Sequence, residues 1–116
     1  MNIENYLVHE NQTVEEAVAV IKRSLAKCCV VVNDERKVLG VFSDGDVLQA
    51  ILQGIDLHTP LRSLLTGNFL SLHERDMKKA ARLFKDKGIT LLPFVDRNFT
   101  LTDIITLRDF FDILDI

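Results

Sequence analysis

Two stretches of the chain carry the apolar spacing of an amphipathic helix, and each is followed by two short β-rich runs. The apolar positions are Val14, Ala17, Val18 and Ile21 in the first stretch, and Met77, Ala80, Ala81 and Phe84 in the second. The β-rich runs are Cys28–Val32 and Val38–Phe42, then Thr90–Val95 and Thr100–Ile105. A polar turn separates the two runs of each pair, and amphipathic spacing begins again at Ser43 and at Thr106. The pattern predicts helix, strand, turn, strand and helix, twice over.

These two units are copies of one another, because the sequence matches itself at an offset of 63 positions. The segment Thr13–Leu52 lies over the segment Arg75–Leu114 with one frayed end. The matched pairs include Ala17 with Ala80, Val32 with Val95, Ser43 with Thr106, and Asp46 with Asp109. A duplicated supersecondary unit of this length predicts two halves that share one compact body.

The segment between the copies carries its own helix signals. Thr59 is placed to cap a helix, with Pro60 in its first turn, so residues 61–65 are predicted to form a short linking helix. Gly54 is placed to end the preceding helix in a left-handed conformation. We therefore divide the chain into a first repeat over residues 1–57, a linker over residues 58–68 and a second repeat over residues 69–116.

An oxygen-bearing pair stands where the second strand of each copy meets its closing helix. Asp46 follows Ser43 by three positions, and Asp109 follows Thr106 in the same way. This spacing is typical of a helix cap, in which the hydroxyl accepts from a first-turn amide and the acid stabilises the helix start. Because the pair recurs at one offset, it equally predicts two corners that face a shared cleft. Helix amides there suit a phosphate, and the carboxylates can accept from ribose hydroxyls.

Composition removes several classes of partner. The chain has 116 residues, is 47% hydrophobic and carries 14 basic against 17 acidic residues, for a net charge of −3. Such a chain can bury a core unaided, and it has no basic block suited to a nucleic acid. No apolar window is long enough for a membrane span, and the N-terminus lacks the pattern of a signal peptide. We expect a cytoplasmic protein with no nucleic-acid or membrane partner.

Catalytic and metal chemistry find little support in the sequence. Cys28 and Cys29 are neighbours on a predicted strand, which sends their side chains to opposite faces, so they are expected to be buried and reduced. The histidines match no metal-ligand spacing, and no base is tied to Ser43 as a nucleophile would require. The sequence therefore predicts neither a metal site nor an enzyme.

The repeat resembles a tandem pair of cystathionine-β-synthase-like (CBS) domains, also called a Bateman module. The segments that carry the resemblance are TVEEAVAVI and VVVNDERKVLGVFSDGD in the first copy, and KGITLLPFVD and IITLRD in the second. The resemblance implies an α/β (α+β) fold in which two β-α-β-β-α repeats, related by a pseudo-twofold axis, pack through their sheets. It also implies dimerisation, for which adjacent Phe110 and Phe111 on two sides of the last helix are a further indication.

Ten residues are predicted to contact a ligand. In the first site the resemblance assigns Gly40, Ser43 and Asp46 to an adenosine ligand, and in the second site Thr106 and Asp109. Arg108 stands beside the second motif and is either a phosphate partner or a solvated side chain of the first helical turn. Gly88, Ile89, Thr90 and Pro93 are implied to line the adenine pocket. AMP, ADP, ATP and S-adenosylmethionine are the candidate regulatory ligands. The alternative is a ligand-free pair that serves assembly.

The chain also departs from the family pattern. Asp103 stands where the second motif has glycine, and residues 27–30 lack the glycine and proline expected in the first copy. Asp103 would crowd a nucleotide or repel its phosphates, and Asp44 adds negative charge, so adenosine or a monophosphate is favoured over a triphosphate. The stretch SDGDVLQAILQGIDLHTPLRSLL is similar to CBS pairs attached to sugar-phosphate nucleotidyltransferases or arabinose-5-phosphate isomerases. This similarity implies a fused or associated sugar-phosphate enzyme as the regulated partner.

Overall fold

The structure is a computed structural model that describes residues 3–114. Two units of α-helix and β-strand follow each other along the chain. The first unit comprises β1 (Leu7–His9), α1 (Val14–Arg23), β2 (Cys28–Val32), β3 (Val38–Ser43) and α2 (Asp44–Leu52). The second comprises α3 (Met77–Lys87), β4 (Leu91–Val95), β5 (Leu101–Thr106) and α4 (Leu107–Leu114). The predicted order of helix, strand, turn, strand and helix is confirmed in both units.

The first helix of each unit begins at a side-chain cap. The Thr13 hydroxyl accepts from the Glu16 amide at 3.3 Å, and the Glu16 carboxylate accepts from the Thr13 amide at 3.2 Å. At the start of α3, the Asp76 carboxylate accepts from the Lys79 amide at 3.1 Å. Gly88 ends α3 with a φ of +65°, a conformation that costs glycine little. These caps satisfy amides that would otherwise lack partners at the helix ends.

The strands form two separate sheets. In the first sheet β1 pairs with β2 in parallel, and β2 pairs with β3 in antiparallel orientation. The second sheet contains the antiparallel pair of β4 and β5. The counterpart of β1 in the second unit is reduced to an isolated parallel bridge between Leu72 and Phe94. The β-α-β-β-α order implied by the family resemblance is therefore complete in the first unit and shortened in the second.

The two β-hairpins turn in the same way and contact each other. The Asn33 side chain accepts from the amides of Glu35 and Lys37, and the Asp96 side chain accepts from those of Asn98 and Thr100. These are the Asx bonds that favour a tight turn. The Val38 amide then donates to the Phe99 carbonyl at 2.9 Å, and the Leu101 amide to the Arg36 carbonyl at 2.9 Å. The hairpins thereby tie the two units together through their backbones.

A shared hydrophobic core lies between the sheets and joins the two units. It consists of buried residues of the first unit (Tyr6, Ala26, Cys28, Val30, Val32, Val38) and of the second (Leu91, Val95, Leu101, Ile104). Each unit has a further core between its own sheet and helices. Cys28 belongs to the shared core and Cys29 to the core of the first unit, and both are buried free thiols. The predicted opposite orientation of the two cysteines is confirmed.

The linker differs from the sequence prediction. Its helix is a single 3-10 turn over Leu61–Ser63, shorter than the predicted 61–65. Thr59 is not its cap, because Pro60 holds that position without a capping side chain. The Thr59 carbonyl instead accepts from the Val14 amide at 3.1 Å, which fixes the segment as extended chain against α1. The stop at Gly54 is confirmed by its φ of +77°.

The division of the chain into two repeats and a linker, with bounds at residues 57 and 68, stays a prediction.

Within residues 3–114, every helix falls short of the length and apolarity needed to cross a membrane.

Truncation of a fully buried leucine should measure how much the core of the second unit contributes to the free energy of unfolding. Leu92 has no exposed surface and lies on β4. We expect Leu92→Ala to lower the free energy of unfolding by about 2–5 kcal/mol, because the truncated side chain leaves a cavity. Urea denaturation measures the loss. Leu57→Ala, at a half-exposed leucine, is the matched control. An equal loss for both variants would contradict the assigned core.

Candidate functional site

Each strand-to-helix corner is a reciprocal cap. The Ser43 hydroxyl accepts from the Asp46 amide at 3.2 Å, and the Asp46 carboxylate accepts from the Ser43 amide at 2.8 Å. At the second corner the Thr106 hydroxyl accepts from the Asp109 amide at 3.1 Å, and the Asp109 carboxylate accepts from the Thr106 amide at 3.0 Å. The capping interpretation is confirmed at both corners. Each cap uses one carboxylate oxygen, Oδ2, for its bond to the backbone amide.

A cleft of about 600 Å³ opens beside the first corner. Its walls come from both units: residues 25–28, Val41 and residues 43–46 of the first, and residues 68–70 and 88–91 of the second. This volume is in the range of sites for small molecules and cofactors. Five of the ten predicted ligand residues line it together, namely Ser43, Asp46, Gly88, Ile89 and Thr90.

The other five predicted residues lie elsewhere. Gly40 borders a separate cavity of about 170 Å³, where an added Cβ would come within 2.9 Å of the Leu65 side chain. Pro93 is fully buried within β4. Thr106, Arg108 and Asp109 lie at the second corner and do not line the cleft. The roles of these five residues as ligand contacts stay predictions.

Thr90 links the two walls of the cleft. Its hydroxyl donates to the Ala26 carbonyl at 2.6 Å and lies 3.5 Å from the Cys28 sulfur. Backbone bonds repeat on either side of this contact: the Asp44 amide donates to the Lys27 carbonyl, and the Leu107 amide to the Thr90 carbonyl. The start of each closing helix, α2 or α4, is thus bonded to the residue just before the first strand of its hairpin, β2 or β4. The floor of the cleft is a bonded junction between the units.

The charge in the cleft is mixed. Its walls contain the acids Asp44 and Asp46 and the cation Lys27. The capping bonds of Asp46 use Oδ2, so within residues 3–114 its Oδ1 has no hydrogen-bond partner. Burial raises the pKa of the Cys28 thiol; the contact with Thr90 lowers it by less than burial raises it, and the charges of Asp44 and Asp46 raise it further. Cys28 is therefore a neutral apolar group in the cleft floor.

Sequence reasoning missed part of the cleft. Phe69 and its neighbours Asn68 and Leu70 form the wall contributed by the start of the second unit, and Leu25 and Lys27 form part of the facing wall. The repeat offset offered one signal, because it places Phe69 on Tyr6 and so marks both as equivalent positions. Asp103, which stands before the second motif, forms an ion pair with Arg75, whose guanidinium lies over the Phe94 ring. Its expected effect on a nucleotide at the second site stays a prediction.

Fold and cleft together define a duplicated α/β module with a cleft between its repeats. Comparison with known families agrees: residues 1–53 and 62–116 both match the CBS domain family. The chain belongs to the CBS domain family and is a tandem pair. A pair of this kind is a regulatory module, and within residues 3–114 no cluster of three or more His, Cys, Asp or Glu could hold a metal ion.

The chain is similar to part of one curated relative and to most of two solved chains. Arabinose 5-phosphate isomerase GutQ of Escherichia coli O6:H1 is 36% identical over 101 residues, which cover 85% of this chain and 31% of that protein. The chain thus spans about a third of this relative. A CBS domain pair/ACT domain protein of Thermotoga maritima superposes with a TM-score of 0.75 at 24% identity, covering 99% of this chain and 97% of that chain. A CBS domain protein of Pyrobaculum aerophilum complexed with AMP superposes with a TM-score of 0.72 at 21% identity, covering 89% and 80%.

Replacement of Thr90 should show whether its hydroxyl joins the units. We expect Thr90→Val to lower the free energy of unfolding by about 1–2 kcal/mol, because the buried Ala26 carbonyl loses its donor. Thr90→Ser keeps the donor and should lose less. Urea denaturation of both variants measures the difference. If valine is tolerated as well as serine, the hydroxyl contributes nothing to the junction.

Proposed function

We propose that this CBS pair is a regulatory module that binds an adenosine-containing nucleotide, with AMP as the best-fitting candidate, in the cleft beside the first corner. The observation that carries the proposal is the convergence of Ser43 and Asp46 from one repeat with Gly88, Ile89 and Thr90 from the other around a space of about 600 Å³. Ligand contacts to both repeats would couple occupancy to the arrangement of the pair.

The corner residues suit the sugar and the phosphate. The unpartnered Oδ1 of Asp46 can accept from a ribose hydroxyl while Oδ2 keeps its bonds to Ser43. The start of α2 borders the cleft, so the helix dipole would stabilise a phosphate bound there. Lys27, whose carbonyl accepts from the Asp44 amide, is a cation beside this corner. One cation against Asp44 and Asp46 favours a monophosphate, because each further phosphate adds repulsion from the two carboxylates.

The apolar part of the cleft suits the base. Phe69, Leu70 and Ile89 give it aromatic and aliphatic surface beside backbone groups of residues 88–91. A purine could stack on the Phe69 ring and bond to main-chain amides and carbonyls. The CBS domain protein of Pyrobaculum aerophilum that is complexed with AMP lends support, as a protein of the same fold. ADP, ATP and S-adenosylmethionine remain the comparison ligands.

The regulated activity is proposed from the sequence relatives. The similarity to arabinose 5-phosphate isomerase GutQ, of which the chain spans 31%, supports a sugar-phosphate enzyme as the fused or associated partner. Nucleotide binding would then bias that enzyme through the geometry of the pair. The coupling free energy in such systems is typically about 1–3 kcal/mol.

Ligand binding is tested by thermal unfolding and calorimetry. AMP at about 100 times its dissociation constant should add about 2.7 kcal/mol to the free energy of unfolding. We expect Asp46→Asn to weaken AMP binding by about tenfold or more, because asparagine keeps an acceptor for the Ser43 amide but loses the charge that holds a ribose diol.

Asp86→Asn is the matched control, since Asp86 is exposed on α3 and lies outside the cleft. It should bind AMP as the unchanged chain does. The absence of stabilisation by AMP, ADP, ATP and S-adenosylmethionine would reject the nucleotide proposal. It would leave the alternative of a ligand-free interaction module.

A specific observation favours assembly as a second role. Helix α2 exposes Leu48, Ile51 and Leu52 on one face, and Phe111 is exposed at the equivalent position of α4. Exposed apolar side chains on two equivalent helices are suited to a symmetric contact between copies of the chain. Phe110 does not contribute to this face, because its ring packs against Phe84 with centroids 6.0 Å apart. We propose a homodimer through α2 and α4.

Sedimentation velocity tests the dimer. The chain should sediment at twice its mass of 13.2 kDa, and Leu48→Glu should shift it to the monomer, because a charge cannot be buried unpaired in an apolar contact. Gln49→Glu adds the same charge beside Leu48 without removing apolar surface and should stay dimeric. A monomeric unchanged chain, or equal effects of the two substitutions, would exclude this interface.

A further inference from the structure

The two corners of the pair differ in what faces them. Tyr6 and Phe69 are equivalent by the repeat offset: Tyr6 directly precedes β1, and Phe69 lies three residues before the isolated bridge at Leu72. Phe69 is partly exposed and lines the cleft at the first corner. Tyr6 is 8% exposed and belongs to the shared core between the sheets. The same position is thus a cleft wall in one half and core in the other.

The polar side chains of the two corners also differ in solvent exposure. Thr106 is 3% exposed, whereas its counterpart Ser43 is partly exposed and lines the open cleft. Asp109 is partly buried, whereas Asp46 is exposed.

Tyr6 belongs to the same core cluster as Leu91 and Ile104, which at the repeat offset are the counterparts of Cys28 and Val41 in the lining of the open cleft. This packing puts Tyr6 beside the second corner. Burial raises the pKa of the Tyr6 phenol, and the charge of Asp109 raises it further, which agrees with that position.

We propose that Tyr6 fills the second corner of the pair, so that the chain has one ligand site, the cleft beside Ser43 and Asp46. The inference rests on the proposed function for the ligand and adds its stoichiometry and location. A nucleotide at the second corner would have to displace a ring that is packed between the two sheets. At the first corner no such displacement is needed, because the cleft is already open.

Calorimetry with AMP tests the location. We expect one AMP per chain, a loss of about tenfold or more in affinity for Asp46→Asn, and an affinity within about twofold of the unchanged chain for Asp109→Asn. Two AMP molecules per chain would overturn the inference. So would an Asp109→Asn variant that loses as much affinity as Asp46→Asn while it unfolds at an unchanged urea concentration.

A second measurement does not depend on any ligand. Tyr6 is the one tyrosine of the chain and there is no tryptophan, so the tyrosine fluorescence reports this residue alone. We expect acrylamide to quench the native chain several-fold less efficiently than the urea-unfolded chain, and saturating AMP to leave the quenching unchanged. Efficient quenching in the native chain would show an open second corner and overturn the inference.

Calorimetry and tyrosine quenching together distinguish a failure of the proposed function from a failure of the single-site inference. If no nucleotide binds while Tyr6 is shielded, the proposed function fails and the second corner is still filled. If AMP binds while Tyr6 is quenched freely, the proposed function stands and the single-site inference is wrong.

Discussion

The packing of the two sheets against each other is the interaction on which the rest of the structure depends. The second sheet has only β4 and β5 as full strands, and a two-stranded sheet is marginal in water unless one face is covered. Val30 and Val32 of the first sheet and Val95 and Ile104 of the second supply that cover. Because the cleft takes one wall from each unit, this packing also creates the site. A loss of contact between the sheets would remove core and cleft together.

Capping and ligand binding are compatible uses of the same corner. One oxygen of Asp46 accepts from the Ser43 amide and hydroxyl, which fixes the start of α2. A carboxylate has a second oxygen with its own lone pairs, and the cap holds that oxygen in a defined place before a ligand arrives. Such preorganisation lowers the entropy that binding must overcome. The structural role of Ser43 and Asp46 is thus a reason why the corner could serve as a site.

The sequence predicted the parts of the fold that depend on local pattern. The periodicity of Ala17 and Ile21, the alternation at Cys28 and Cys29, and the duplication itself suffice for the order of elements, because burial of one face imposes that spacing. Other features depend on contacts between distant residues. Thr59 had the local chemistry of a cap, but its carbonyl is bound by Val14. Pro93 had the position of a pocket residue, but the strand turns it into the core.

The difference between the two corners also depends on contacts between distant residues, which local sequence pattern does not reveal. Tyr6 and Phe69 are both aromatic and stand at equivalent positions, so no motif distinguishes them. What differs is the neighbouring chain, since β1 is a full strand that holds Tyr6 against the first sheet, whereas its counterpart at Leu72 is a single bridge. Tyr6 is buried in the shared core, whereas Phe69 is partly buried, packs against that core and also lines the cleft. Corners that are duplicated in sequence need not stay alike, because the strand beside each corner has diverged.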